Sequence, residues 1–519
     1  MTATEQLKPR TGAETGGGGS RGRWLALAVL VLAVLLVAVD ATVLGLATPS
    51  LSEELKPSGT QLLWIGDIYS FVIAGLLVSM GSLGDRIGRK KLLLTGATAF
   101  GAVSVLTAHA TSPETMIVAR ALLGVAGATL MPSTLALIRN IFTDPRERSL
   151  AIGIWGATAS AGAAVGPVVG GALLQHFHWG SVFLINLPVM IVLVLVGIKL
   201  LPESKNPVAG PWDLISVALS LVGVIGVVYA VKEAATHGAT WDAGLATVIG
   251  ATALYAFVRR QFTLAAPLLD MRLFKDRGFS GAVVADLLTV FGLSGLLFFL
   301  SQFLQLVQGR EPLEAGLAEL PAAVGAVVTG LVAGRWARRF SVRSVVAGGL
   351  GAIGLALGVL ALVRQDSGYP LIGASLLIVG LGAGFSFTVT ADVILSSVPK
   401  EQAGAASAVS ETAYELGAAL GIALLGSIVT GVYQGFATPA EVPAPLAEAA
   451  HESLGGAVEA ASALDPHTGD TLLDAARGAF VDGLHYASGV SALVLLATAG
   501  AAWFLLKGQK LQEGVTTHH

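Results

Sequence analysis

The chain of 519 residues contains no cysteine. Disulfides, thiolate metal sites and cysteine nucleophiles are therefore excluded. Charge is scarce as well: 13% of residues are Asp, Glu, Lys or Arg, about half the share of an average soluble domain. The formal net charge of −3 supplies no global field for nucleic acid. No P-loop or H-E-x-x-H is present, so neither direct ATP use nor a zinc hydrolase site is visible. Gly349, Gly351 and Gly354 satisfy the dinucleotide pattern G-x-G-x-x-G. They lie inside an apolar run with no preceding strand, so that reading is rejected. His176 and His178 fall in a loop and read as solvated rather than metal-bound; no metal site is expected.

What the chain has instead is apolar length. Hydrophobic residues make up 54% and glycines number 65, and the mean hydropathy is +0.75. An ordinary soluble enzyme and a disordered chain are both excluded. Glycine-rich apolar sequence is normal for packed transmembrane helices. A spanning helix needs roughly 20 apolar residues, and 14 such segments are expected. Six run over 24–47, 62–83, 92–110, 116–138, 151–174 and 182–201. Two follow at 214–231 and 243–258, then six more at 279–307, 316–336, 345–363, 371–398, 403–433 and 487–506. The first span is too long for a signal peptide and lacks a cleavage site.

The basic residues support this count. Threading 14 helices places 25 of the 31 Lys and Arg residues on the side of both termini and 5 on the other, with Arg120 inside a span. Positive charge collects on the cytoplasmic side, so both termini are expected there. Residues 1–22 and 508–519 read as cytoplasmic tails, the first of them flexible. Residues 23–201 form a first six-helix bundle, 202–275 carry two inserted helices, and 276–507 form a second six-helix bundle. The second includes an acidic, Ala-rich outside loop at 434–484. Short amphipathic helices are expected in it around 454–464 and 472–480, serving as a lid or as a folded connector.

Gly81-Ser-Leu-Gly-Asp85-Arg86-Ile-Gly-Arg89-Lys90 ends the second span, and Gly330-Leu-Val-Ala-Gly334-Arg335-Trp-Ala-Arg338-Arg339 ends the tenth. Two halves with matching features are a transporter signature, with the substrate site between them near mid-membrane. Gly334 stands where Asp85 stands, so the halves are not chemically equivalent.

Seven ionisable residues stand out inside the spans: Asp40, Asp67, Arg120, Asp286, Asp392, Glu411 and Glu415. Each costs roughly 2.5–3.5 kcal/mol at a helix centre, about 20 kcal/mol together if unpaired. They must face a wet cavity, pair, or take up protons. Six acids meet one base, and Arg120 can neutralise one or two of them. The cavity is therefore acidic, and its charge balance is completed by H⁺ or by cargo. Glu411 and Glu415 share a helix face, and carboxylates so close resist double ionisation. That suits one of them to carry a proton, although a Glu could also snorkel to the helix end. Asp40 has no possible partner on its own helix. Asp67 and Trp64 lie toward the outer mouth, Asp286 lies about two turns from the cytoplasmic end, and Asp392 reads as a structural cap. Arg120 is either a fixed counter-charge that releases a proton from a nearby acid or a lock between two helices. Among the aromatics, Tyr414 neighbours the Glu411/Glu415 stripe, where a ring beside carboxylates suits large hydrophobic cations. Gly162, Gly166 and Gly170 make a close-packing face interrupted by Pro167, read either as a sliding seam or as plain packing.

These residues resemble the major facilitator superfamily. Gly81 to Lys90 resembles its cytoplasmic-loop signature, Arg120-Ala-Leu-Leu-Gly124 its fourth-helix signature, and Gly162 to Gly171 its antiporter signature. Asp40-Ala-Thr-Val with Ala47-Thr-Pro49 resembles the first-helix signature of drug exporters, with Gly45 in place of the usual Asn. Trp179-Gly-Ser-Val-Phe-Leu-Ile-Asn186-Leu-Pro188 resembles a signature of the 14-helix subgroup. Ser410-Glu411-Thr-Ala-Tyr-Glu415 is similar to the acidic segment of quaternary-ammonium exporters, with Ser410 in place of a first acid seen in some members. The resemblance implies an all-α membrane protein of two six-helix bundles plus two inserted helices, working as a drug:proton antiporter. Asp40, Glu411 and Glu415, with Arg120, would handle protons. Asp67, Trp64, Tyr414 and Asp286 would meet cationic substrate. Asp85, Arg86 and Arg89, with Gly166, Pro167 and Gly170, would serve gating. The expected setting is a bacterial cytoplasmic membrane, the expected partners are lipophilic cations and protons, and the expected state is a monomer. No cofactor is expected, the proton-motive force being the drive. A dedicated exporter of one antibiotic or natural product remains the alternative. A membrane enzyme with a transporter-like shell finds no catalytic constellation.

Overall fold

The computed structural model describes residues 20–57, 59–205, 212–238, 240–265, 267–399 and 402–509. These residues are helical nearly throughout, with no strand among them. The first half contains α1 (Ser20–Leu55), α2 (Gly59–Ile87), α3 (Arg89–Ala108), α4 (Pro113–Ile141) and α5 (Pro145–His176). It closes with the short α6 (Ser181–Leu184) and α7 (Asn186–Leu200). Next come α8 (Leu214–His237) and α9 (Trp241–Thr263). The second half holds α10 (Arg277–Gln302), α11 (Pro312–Phe340), α12 (Val342–Leu360), α13 (Tyr369–Ser396) and α14 (Ala403–Tyr433). It ends with α15 (Ala444–Glu452), α16 (Leu454–Ser462) and the 40-residue α17 (Pro466–Leu505).

Among the described residues thirteen helices are long and apolar enough to cross a membrane. With the 32-residue α5 packed among them, the long elements match the expected fourteen. Two boundaries differ. The span expected over 182–201 is broken at Ile185 into α6 and α7. The expected helix at 472–480 and the expected span from 487 are one continuous α17. Nothing in the sequence interrupts that helix: Asp465 caps its start by accepting from the Thr468 amide, Pro466 occupies its first turn, and no proline follows before Leu505.

Within the first half α1 packs along α5, α2 along α4, and α3 along α4 and α7. The second half repeats the plan, with α10 along α14 and α17, α11 along α13, and α12 along α13 and α17. The inserted α8 and α9 form a hairpin whose approach depends on glycine. A Cβ on Gly226 would lie 2.8 Å from the Gly250 Cα, and one on Gly223 would lie 2.7 Å from Leu254 Cδ2. α8 also lies against α2, where Ser220 Oγ donates to the Gly75 carbonyl at 3.1 Å. Large apolar side chains such as Leu195, Val248, Leu355 and Leu493 stand exposed on the outer faces, as a lipid-facing surface requires. The 434–484 segment is folded: Tyr433 Oη donates to the Ala450 carbonyl at 2.6 Å, and His451 stacks on Phe436 at 4.5 Å.

The halves meet where α5 lies along α11 and α2 along α14. Small residues set this seam. A Cβ on Gly153 would fall 2.2 Å from the Gly330 carbonyl oxygen, and one on Gly81 2.4 Å from the Gly404 oxygen. Both contacts lie toward the basic end, where α1 begins and α17 finishes. At the far ends of the same α5 and α11, Gly171 and Gly316 have nothing within 4 Å of a Cβ.

Candidate functional site

Two groups of polar residues, buried apart from the half-buried Glu415, occupy the interior at different depths. In the first half Asp40, 2% exposed, lies 20 residues into α1, about 30 Å from its start at 1.5 Å per residue. Arg120, equally buried, reaches it from α4 with Nη1 3.4 Å from Asp40 Oδ2. Arg120 Nε donates to the Ile65 carbonyl of α2 at 3.3 Å, and its guanidinium lies 4.5 Å from the ring centre of Tyr69. The other Asp40 oxygen accepts from Asn186 Nδ2 at 2.9 Å, and the same nitrogen lies 3.1 Å from Ser104 Oγ. The two readings of Arg120 therefore merge, since it is a counter-charge to one acid and joins α1, α2 and α4. A buried ion pair held by further hydrogen bonds tolerates the apolar interior; losing one partner would strand the other charge.

The second group lies nearer the basic end. Asp286 sits nine residues into α10, and Glu411 and Glu415 sit eight and twelve residues into α14. That places them about 12–18 Å from their helix starts. Asp286 accepts from Thr390 Oγ1 at 2.5 Å and from Ser410 Oγ at 2.7 Å. Glu411 is 6% exposed and lies within electrostatic range of both Glu415 and Asp286. No basic side chain among the described residues is paired with these three acids. Tyr69 lies within electrostatic range of Asp40 and Arg120 of the first group and of Glu415 of the second. Its hydroxyl is buried without a hydrogen-bond partner.

Other expected residues lie elsewhere. Trp64 does not join the acids; it stacks on Tyr229 of α8 at 6.1 Å and meets Phe71 edge-on. Tyr414 is half exposed, with its ring 6.1 Å from Phe387. Asp67 lies on α2 and Pro167 on α5, but both side chains fall outside the described set. The glycine stripe packs inside the first half: a Cβ on Gly162 would meet Ala38 and one on Gly166 would meet Thr42, both on α1. Gly170 is buried on the same helix. Arg148, Ser149 and Gly153 are among the residues of α5 that meet the other half. His178 is not free in its loop either, since it and Trp179 Nε1 both meet Glu54 Oε2, at 2.7 and 2.8 Å. They hold the Glu54 carboxyl below its ordinary value.

The Gly81–Lys90 motif ties the two halves together. No side chain at the α14 N-cap, Gln402, caps that helix. Asp85 of the other half does so, accepting from the Gly404 and Ala405 amides at 3.0 and 3.1 Å. Carboxylates are stabilised at a helix N-terminus, where amides are unsatisfied and the dipole is positive. Arg89 fixes the carboxylate, with Nε and Nη2 2.8 and 2.7 Å from Oδ1. Arg86 donates to Ser82 on its own helix. Arg139 on α4 donates to the Val398 and Pro399 carbonyls just ahead of α14.

A second latch joins α5 and α13. Arg148 Nε and Ser149 Oγ donate to the two oxygens of Asp392 at 2.9 and 2.7 Å. Asp392 is thus an inter-half partner rather than a helix cap. It takes the part that Gly334 cannot play, since a Cβ at Gly334 would already lie 2.2 Å from Ser149 Cβ. Together these contacts close the basic end.

Three residues escaped the sequence reading. Glu319 on α11 has a buried Oε1 without a hydrogen-bond partner. It stands one turn from the expected start of its span, where a carboxylate reads as solvated. Ser104 gives no signal, and Asn186, though part of the Trp179–Pro188 motif, shows no role until the fold brings both to Asp40.

The comparisons agree with this architecture. The family model for the Major Facilitator Superfamily matches residues 30–422. The chain is 48% identical over 480 residues to the multidrug efflux pump LfrA of Mycolicibacterium smegmatis, covering 92% of this chain and 95% of that one. It is 37% identical over 491 residues to the methyl viologen resistance protein SmvA of Salmonella typhimurium, covering 94% and 99%. The structure of the human organic anion transporter MFSD10 superposes with a TM-score of 0.61 at 14% identity, over 94% of this chain and all of that one. The protein is a multi-pass membrane transporter, and the chain belongs to the major facilitator superfamily.

Proposed function

We propose that this protein is a proton-coupled antiporter that exports lipophilic, mainly cationic drugs, dyes and biocides. It works in a bacterial cytoplasmic membrane as a monomer, with both termini inside. The proton-motive force drives it, no cofactor takes part, and no bond in the cargo is made or broken. The observation that carries this reading is the charge balance of the interior. One guanidinium, Arg120, is committed to Asp40, while Asp286, Glu411 and Glu415 have no basic partner among the described residues. Intramembrane carboxylates without a counter-ion need protons or a cationic ligand. A site that takes either, but not both, exchanges one for the other.

The two relatives support the cargo class: one is named a multidrug efflux pump and the other for resistance to methyl viologen, a bis-quaternary cation. In this account Asp40 with Arg120, and Glu411 with Glu415, exchange protons. Asp286, Tyr414 and the outer Asp67 and Trp64 face the cargo's route. The bundles are 23–201 and 276–507, with 202–275 inserted. Asp85, Arg86 and Arg89 hold the cytoplasmic gate, while Gly166, Pro167 and Gly170 let α5 move against α1.

Ethidium efflux from cells expressing the wild type, Asp40→Asn or Glu415→Gln, with and without a protonophore, tests the reading. Efflux lost with the protonophore and with Asp40→Asn supports it. Efflux that survives the protonophore contradicts it. Resistance confined to one antibiotic scaffold would replace it with a dedicated exporter.

A further inference from the structure

Asn186 is fully buried, as is Ser104 beside it. Its Nδ2 is fully used, facing Asp40 Oδ1 at 2.9 Å and Ser104 Oγ at 3.1 Å. Its Oδ1 is buried with no hydrogen-bond partner. A buried amide that spends both protons and leaves its oxygen idle is half satisfied, and idle buried acceptors in native proteins call for an explanation. The explanation lies in the neighbour. An ionised carboxylate can only accept, so it calls for the amide's N–H side. A protonated carboxyl is also a donor, and calls for the amide's oxygen side.

We propose that Asn186 is a positioning residue that reads the protonation state of Asp40 by turning its side-chain amide. This rests on Asp40 being a proton-coupling carboxylate. With Asp40 ionised, Nδ2 donates to it and to Ser104, as observed. When Asp40 takes a proton, its new O–H donates to Asn186 Oδ1. The Ser104 hydroxyl rotates from acceptor to donor and fills the second lone pair of that oxygen. The idle acceptor thus gains two donors in the protonated state while Nδ2 gives up the Asp40 and Ser104 acceptors, and no covalent bond other than the carboxyl O–H is made. The switch joins three helices, with Asp40 on α1, Ser104 on α3 and Asn186 at the first position of α7, next to the break at Ile185. The charged and titratable groups around Asp40 are Arg120 of α4, 3.4 Å away, Tyr69 of α2 beneath that guanidinium, and Glu415 of α14 within electrostatic range of Tyr69. Arg120 answers the charge of Asp40. Asn186, being neutral, answers the direction of its hydrogen bond.

The test is the pH profile of gradient-driven ethidium transport by purified full-length protein in liposomes. It compares wild type, Asn186→Leu, Ser104→Ala and Asp40→Asn. Asn186→Leu keeps the volume and removes both polar atoms. The bond to the carboxylate is the charge-assisted one and the stronger of the two it loses. Its pH of half-maximal transport should therefore move by about one unit toward alkaline pH, the difference between the charge-assisted and the neutral bond. Ser104→Ala leaves Asn186 in place and should move the midpoint less, in the same direction. A wild-type midpoint in both variants, while Asp40→Asn abolishes transport, would overturn the proposal and leave Asn186 a structural tie. If Asn186→Leu fails to elute as a single folded species, a wild-type midpoint in Ser104→Ala alone overturns it. Wild-type pH dependence in Asp40→Asn would instead sink the underlying assignment of Asp40, a separate failure.

Discussion

Replacing Asp85 by asparagine keeps the shape of the side chain and removes its charge. In the structure that carboxylate receives the Gly404 and Ala405 amides and the Arg89 guanidinium, and the first two belong to the opposite half. Asparagine can still accept one amide bond through its oxygen, so the loss is less than the sum of the contacts. A hydrogen bond to a charged group contributes about 1.5–3 kcal/mol, and a single net loss of that size is the working figure. In the proposed gating cycle these bonds exist only while the basic end is closed, so the loss falls on that state alone. The ratio of closed to open should then drop by about 10- to 150-fold. The absence of native cysteine makes the assay clean. Thr143→Cys at the end of α4 and Arg339→Cys at the end of α11, both exposed, can carry spin labels on opposite halves. Asp85→Asn should shrink the short population of the distance distribution and raise a longer one. An unchanged distribution in folded protein would refute the latch.

Further outcomes follow from the same contacts. Asp392→Asn removes the charge and one of the two oxygens that receive Arg148 and Ser149, so the same spin-label pair should report opening again, and more completely in combination with Asp85→Asn. Gly166→Ala would place a Cβ 1.9 Å from Thr42 Oγ1. Thermal unfolding should show a loss of roughly 1–3 kcal/mol, the usual cost of overpacking, and Thr42→Ser should not restore it, because the clashing oxygen remains. Arg260 grips both oxygens of Asp213 at 2.6 and 3.0 Å, holding that carboxyl well below its ordinary value. A carboxyl with a lowered folded-state pKa stabilises above its unfolded value of 3.8 and loses that contribution as pH falls further. The α8–α9 hairpin should therefore show flat stability from pH 7 to about pH 5 in differential scanning, with Arg260-dependent loss only in stronger acid.

The spanning helices were legible because hydrophobic length is a local property. So was the acidity of the interior: a carboxylate in a 20-residue apolar run announces itself. Partner identity was not legible. Asp85 read as part of a basic turn, yet its partners are backbone amides 319 and 320 residues away, and amides carry no sequence signal. Asp392 read as a helix cap for the same reason, because Arg148 lies 244 residues from it. The inserted α8 brings Tyr229 against Trp64, a contact that periodicity within α2 cannot show. Asn186 belonged to a recognised motif whose chemistry emerged only when α1 and α3 packed around it.

The central claim is that protons and cationic cargo complete the same charge balance. Purified protein in a weakly buffered solution with a pH-indicator dye tests it most directly, by counting protons released when tetraphenylphosphonium binds near neutral pH. The account predicts release of about one proton or more per cation bound, sharply reduced when Glu411 and Glu415 are both replaced by glutamine. Cation binding with no proton release by the wild type would contradict it.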